Sequence, residues 1–142
     1  MTPVEFRRHL HRHPELSFRE TESARFIAEA LREAGIPCRP IAGTGVLAKI
    51  EGRGDLRRAV VLRADIDALP IREQSGAAWS SENDGVMHAC GHDIHAAVLY
   101  GTLLRLSAER NFEGTLFGIF QPGEESNPGG ASIVLAEIPF EG

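Results

Sequence analysis

Several residue classes are scarce in this chain, and each shortage removes a class of protein. Only two cysteines, Cys38 and Cys90, occur among 142 residues. That excludes a disulfide framework, and a chain of this size buries roughly 68–70% of its unfolded surface without one. Reduced thiols of this kind predict a cytoplasmic setting. Positive charge is the scarcer sign, with 15 Lys and Arg against 20 Asp and Glu for a formal net charge of -5. A phosphate backbone needs clustered Lys and Arg to displace its counterions, so no nucleic-acid partner is expected. Apolar runs stay far short of the ~20 residues of a membrane helix, so no membrane partner is expected either. Glu5, Arg7 and Arg8 stand where the apolar region of a signal peptide would lie. Gly43-Thr44-Gly45 and Gly52-Arg53-Gly54 lack the third glycine and the following helix of a dinucleotide site. Neither Gly-x-Ser-x-Gly nor a phosphate loop ending in Gly-Lys-Ser/Thr is present. What remains, 42% hydrophobic and 25% charged residues, is the composition of an ordinary globular domain.

Thr2-Pro3-Val4-Glu5 has the form of a capping box with proline at the first helical position. The helix it starts should stop near His13, because Pro14 disfavours the α region for the residue before it. A second helix is expected over residues 20–34, with Ala24, Ile27, Ala28 and Leu31 on one face and Gly35 as its cap. Strands are expected over 39–42, 45–51 and 59–63. Gly52-Arg53-Gly54-Asp55 reads as a turn that would make the last two an antiparallel hairpin. A long loop covers 65–91, and loops of that length in compact domains are often functional. The third helix, 93–108, is apolar on most sides, which predicts burial against a sheet. Leu116-Phe117-Gly118-Ile119-Phe120 reads as a central strand. A short helix over 130–136 follows. The pattern is α/β, a single domain over 1–142 without internal repeats.

Topology then concentrates the polar residues. A strand ending at Arg63, a helix from Asp93 and a strand from Leu116 form one β–loop–α–β unit with parallel strands. Asp65 and Asp67 leave the first strand at its carboxyl end. Cys90, His92 and Asp93 sit beside that edge, and the second strand delivers Gln121, Glu124 and Glu125 to it. Ligands of open α/β sheets bind there. In Met87-His88-Ala89-Cys90-Gly91-His92-Asp93-Ile94-His95 a thiol, imidazoles and a carboxylate suit a borderline-soft cation such as zinc. The same stretch also reads as a buried thiol with satisfied histidines. Glu124 and Glu125 read either as a solvated loop or as one ligand beside one general base, since adjacent side chains diverge. Asp65 and Asp67 would share one side of an extended segment, with Ile66 opposite. His9 and His13 have the spacing of a helical metal pair without an obvious third ligand. Trp79 lines a pocket or packs.

Four motifs, Leu10-His11-Arg12-His13-Pro14-Glu15-Leu16, Arg63-Ala64-Asp65-Ile66-Asp67-Ala68-Leu69-Pro70, the Met87–His95 stretch and Gln121-Pro122-Gly123-Glu124-Glu125, occur in an order that resembles one family. It is the N-terminal part of metal-dependent N-acyl-amino-acid amidohydrolases. These form the aminoacylase and hippurate hydrolase branch of the metallo-carboxypeptidase superfamily, with acyl-diaminopimelate deacetylases and auxin-conjugate hydrolases. The resemblance implies a partial three-layer α/β/α zinc-peptidase-like catalytic domain with a mixed sheet, lacking the inserted dimerisation domain. It implies a hydrolase that cleaves the amide bond of N-acyl amino acids or small peptides with a metal-activated water. Two divalent ions, zinc, manganese, cobalt or nickel, serve each complete active site. Cys90, His92 and Glu125 match the family's metal ligands, Glu124 its general base, and Asp67 the acid that orients a ligand. Asp65 stands where many members carry a metal-binding histidine. The family's two remaining histidine ligands lie further along than Gly142, so the chain is expected to be the front portion of a longer, homo-oligomeric enzyme, with a sheet edge left exposed. Two other readings compete: a thiol hydrolase with Cys90 as nucleophile, and a non-catalytic metal-binding fragment.

Overall fold

Thr2 opens the first helix as its sequence predicts. Its hydroxyl accepts the Glu5 amide at 3.2 Å, and the Glu5 carboxylate accepts the Thr2 amide at 2.7 Å, which completes the capping box. From there a computed structural model, which describes residues 1–138, follows the chain through α1 (Pro3–Arg12), α2 (Thr21–Glu33), β1 (Cys38–Ile41), β2 (Gly45–Glu51), β3 (Ala59–Asp65), α3 (His92–Glu109), β4 (Thr115–Gln121) and α4 (Gly130–Glu137). The domain expected over 1–142 thus has its last residues outside the described ones. Among the described residues no helix is long and apolar enough to cross a membrane.

The four strands lie in the order β1-β2-β4-β3. β4 pairs antiparallel with β2 and parallel with β3, and β1 pairs antiparallel with β2. The parallel β3–α3–β4 unit is as expected. The β2–β3 hairpin is not, because β4 occupies the position between the two. Burial explains the order: β4 is buried along nearly its whole length on both faces, whereas β3 leaves Val60 and Val61 exposed. The strand with apolar side chains on both faces takes the inner position, and the half-exposed strand goes to the edge. After β2 the chain stays beside the approach to β4, with the Gly52 amide donating to the Gly114 carbonyl and the Arg53 amide to Phe112, both at 2.8 Å.

Helices α1, α2 and α3 cover one face of the sheet, where Phe6, Ile27, Leu31, Val46, Ala48, Ile50, Leu116 and Phe120 form the main core. Phe6 stacks on Tyr100 with ring centroids 4.3 Å apart, joining α1 to α3. At Gly118 a Cβ would come within 2.8 Å of the Leu103 side chain, so the missing side chain sets how closely α3 lies on β4. On the opposite face Leu47 and Ile119 pack with Val134 of α4. The result is the mixed-sheet α/β/α layering expected. Burial of α3 is less complete than its composition implies: Ile94 and Val98 are 49% and 65% exposed. The stripe through Ala96, Ala97, Leu99, Tyr100 and Leu103 is buried in the core, with Leu104 and Leu106 partly buried against it.

Candidate metal centre

Three chain segments meet where β3 and β4 end and α3 begins. Register places Asp65 opposite Gln121, so residues just beyond them leave the sheet side by side. Gly91, in a left-handed conformation (φ 82°), starts α3, and this brings His92 up against the exit of β3. As a result Cys90, His92 and Glu125 come together: one potential donor atom from each, sulfur, imidazole nitrogen and carboxylate oxygen, lies within 4.8 Å of the others. His92 is buried while Cys90 and Glu125 are exposed, so the group is open on one side.

Asp67, 1% exposed, organises this group from behind. Its Oδ1 lies 3.0 Å from His92 Nδ1, and its backbone carbonyl lies 2.9 Å from the same nitrogen. Oδ2 accepts the Ser17 hydroxyl at 2.7 Å and the Glu125 amide at 2.8 Å. Two acceptors at Nδ1 fix the proton there, which turns Nε2 outward, 3.7 Å from Glu124 and 3.8 Å from Glu125. The carboxylate–histidine pair is the usual way to orient an imidazole for a cation. The Asp67 hydrogen bond raises His92 to about 9 against the opposing effect of burial, so a cation at Nε2 would arrive in exchange for a proton. Burial pushes Asp67 up, but the bonds from His92, Glu125 and Ser17 outweigh it and keep the carboxyl below its ordinary range. Cys90 is pushed up, first by its hydrogen bond to Glu125, then by burial and the charges of Glu125, Glu124 and Asp67. Crowded acids around a thiol and an imidazole form a donor set that a divalent cation would neutralise, and its mixed S, N and O chemistry fits zinc or a similar ion.

Asp65 stands apart from this group, paired with Arg63 at 2.7 Å. Among the described residues His9 and His13 do not form a metal pair with a third ligand: His9 stacks on Phe26 at 3.8 Å, and His13 approaches Glu82 at 3.8 Å. Trp79 packs beneath Arg8, whose guanidinium carbon is 4.1 Å from the ring centre. His88 is buried with neither ring nitrogen bonded among the described residues, and burial holds it down at about 4.

A second buried network has no counterpart among the sequence-based expectations. His11 contacts Asp93 at 2.7 Å through Nδ1 and Glu73 at 3.0 Å through Nε2, and Arg7 donates to the same Asp93 oxygen at 2.7 Å. The helical spacing of Arg7 and His11 was its only local signal. Because Asp93 lies in the first turn of α3 and Glu73 belongs to the long loop, this network ties that loop to the helix that carries His92. Burial raises Glu73, but bonds from Ser75, the Ser81 amide and His11 prevail and bring it from 4.5 down to about 2. A depressed carboxyl contributes stability that is complete above its unfolded value and is lost as pH falls toward the folded one. Glu73→Gln should therefore be less stable than the parent at neutral pH, with the gap closing between about pH 5 and pH 2. Thermal midpoints measured across that range check this, and parallel curves would contradict it.

The chain is also similar to known proteins. The chain is 45% identical over 133 residues to N-acetyl-L-cysteine deacetylase of Bacillus subtilis, covering 92% of this chain and 32% of that protein. It is 45% identical over 141 residues to N-acyl-L-amino acid amidohydrolase of Geobacillus stearothermophilus, covering 98% and 38%. A crystal structure of a Bacillus subtilis protein described as a dinuclear metal binding peptidase from the M20 family superposes with a TM-score of 0.83 at 47% identity, over 87% of this chain and 35% of that one. The chain spans about a third of the length of the curated relatives it matches. The model of peptidase family M20/M25/M40 matches residues 61–141, from β3 through both candidate glutamates, and the chain belongs to that family.

Proposed function

We propose that this chain carries the water-activating half of a metal-dependent amidohydrolase acting on N-acyl amino acids or small peptides. The observation that carries the proposal is the convergence of Cys90, His92 and Glu125, with Asp67 fixing the His92 ring from behind. In this reading those three side chains hold a divalent ion. Such an ion supplies Lewis acidity that polarises the scissile carbonyl. Glu124, 40% exposed beside the group, takes the proton from the attacking water as its oxygen bonds to the carbonyl carbon. It then delivers that proton to the nitrogen as the C–N bond breaks, leaving a carboxylic acid and an amine, which exchange a proton to become carboxylate and ammonium. Asp67 keeps the proton of His92 on Nδ1. The names of the two relatives above support N-acyl amino acids as the substrate class. An exposed thiol in the donor set suits the reducing cytoplasm.

A second ion would need ligands beyond these three. Elemental analysis of the chain after loading with zinc, manganese, cobalt or nickel and dialysis should therefore give about one ion per chain, in keeping with three protein ligands plus water. Two tightly held ions would contradict the donor count. The competing thiol-nucleophile reading is disfavoured by the raised Cys90 thiol, since a nucleophilic cysteine needs a lowered one. Chelation separates the two: hydrolysis of N-acetyl amino acids should cease with chelator and return with added metal. Turnover that survives chelation would overturn the metal reading.

A further inference from the structure

Glu20 occupies the position at the start of α2 where an acid ordinarily caps the helix, yet its side chain makes no capping bond. Glu15 does that work instead, accepting the Ser23 amide at 2.6 Å and the Glu22 amide at 3.2 Å. The Glu20 carboxylate is fully buried, at 0% exposure, and burying a carboxylate is unfavourable unless hydrogen bonds compensate. Two of its bonds reach distant chain. Oε1 accepts the Gly123 amide at 2.8 Å, and Oε2 accepts the Thr44 hydroxyl at 2.5 Å.

Gly123 leads directly into Glu124 and Glu125 and is held on every side. Its φ is 64°, and a Cβ there would lie 2.3 Å from the Phe18 ring. Its carbonyl accepts the Gly130 amide at 3.0 Å, while two residues on, the Glu125 amide is bonded to Asp67. Glu124 therefore stands between two amides, each anchored on a buried carboxylate. From this bracket we infer that Glu20 is a positioning residue: by fixing the Gly123 amide it sets where Glu124 and Glu125 stand relative to Cys90 and His92. The inference rests on the metal reading above for its functional meaning. What matters is reach rather than charge. Glutamine preserves the length, accepts the Gly123 amide through its carbonyl oxygen and can donate to Thr44 through its amide nitrogen. Aspartate preserves the charge but is one methylene too short to hold both partners.

The test compares Glu20→Asp, Glu20→Gln and Thr44→Val in the full chain, with two readouts. One is the cobalt(II) dissociation constant, followed by thiolate-to-cobalt absorption. The other is metal-free amide exchange at Gly123 and Glu125. Glu20→Asp should weaken cobalt binding roughly 10–100-fold, the usual effect of losing an outer support, while Glu20→Gln and Thr44→Val stay within about threefold. Exchange at both amides should speed up about tenfold or more in the aspartate variant alone, as local opening becomes easier. An aspartate variant unchanged in both readouts overturns the inference, and so does a glutamine variant as impaired as aspartate. Equal impairment by Thr44→Val also overturns it, since that would be general loosening. If the parent chain shows no thiolate–cobalt band while the exchange pattern appears as stated, the metal reading falls and the positioning role stands. If cobalt binds and aspartate changes nothing, the reverse holds.

Discussion

In an enzyme of its relatives' full length, Glu124→Gln should lower kcat by about 10²–10⁴, the usual contribution of a positioned acid–base group, while leaving metal content near that of the parent. Glutamine fills the same space beside His92 but cannot accept a proton from water or return it to the leaving amine. Glu125→Gln should fail in another way. It removes the anionic oxygen that lies with the Cys90 and His92 donors, so metal occupancy should fall and excess metal should restore part of the rate. Activity on N-acetyl amino acids, measured with metal content on the same samples, checks both. A thiol nucleophile predicts neither pattern. Full turnover by Glu124→Gln, or metal loss in that variant with retention in Glu125→Gln, would reverse the assignment of the two acids.

Asp67→Ala should have the largest effect on stability. The side chain is buried and meets His92, the Ser17 hydroxyl and the Glu125 amide at 2.7–3.0 Å. Alanine would leave a buried imidazole without its countercharge and two further donors without acceptors. Removing one partner of a buried pair costs about 3–5 kcal/mol. At roughly 2–4 °C per kcal/mol for a chain near this size, thermal unfolding of the metal-free protein should drop by about 10 °C. Metal affinity should fall by about 10–100-fold as well, because nothing then fixes the His92 ring. Asp67→Asn keeps the shape and one acceptor oxygen, so its loss should be smaller on both counts. An alanine variant with parental midpoint and affinity would remove Asp67 from the account.

The convergence of Cys90, His92, Glu124 and Glu125 was legible because it depends on local features. An apolar run marks a strand, a glycine marks the start of α3, and the parallel unit carries both strand ends to one edge. The pairing of β2 with β3 was misread for the opposite reason. Gly52-Arg53-Gly54-Asp55 looks like a turn in isolation, but strand order follows from a comparison of burial among all strands, and β4 has the stronger claim to the interior. Glu20 and Ser17 were missed because their partners, Gly123 and Asp67, are remote in sequence. Nothing within the Leu16-Ser17-Phe18-Arg19-Glu20 stretch says that two of its polar side chains turn inward. His11 belonged to a motif that carried the resemblance, yet its link to Asp93 and Glu73 exists only once the long loop is folded back on α1. Polar residues buried for the sake of another segment leave no periodic trace.

Cys90, His92 and Glu125 are proposed to hold one divalent ion. X-ray absorption at the zinc edge, on the zinc-loaded chain and its Cys90→Ser variant, tests it most directly. One sulfur scatterer at about 2.3 Å with nitrogen and oxygen neighbours near 2.0–2.2 Å is expected in the parent, and loss of the sulfur shell in the variant. Zinc bound with no sulfur in its first shell, or a sulfur shell that survives Cys90→Ser, would contradict it.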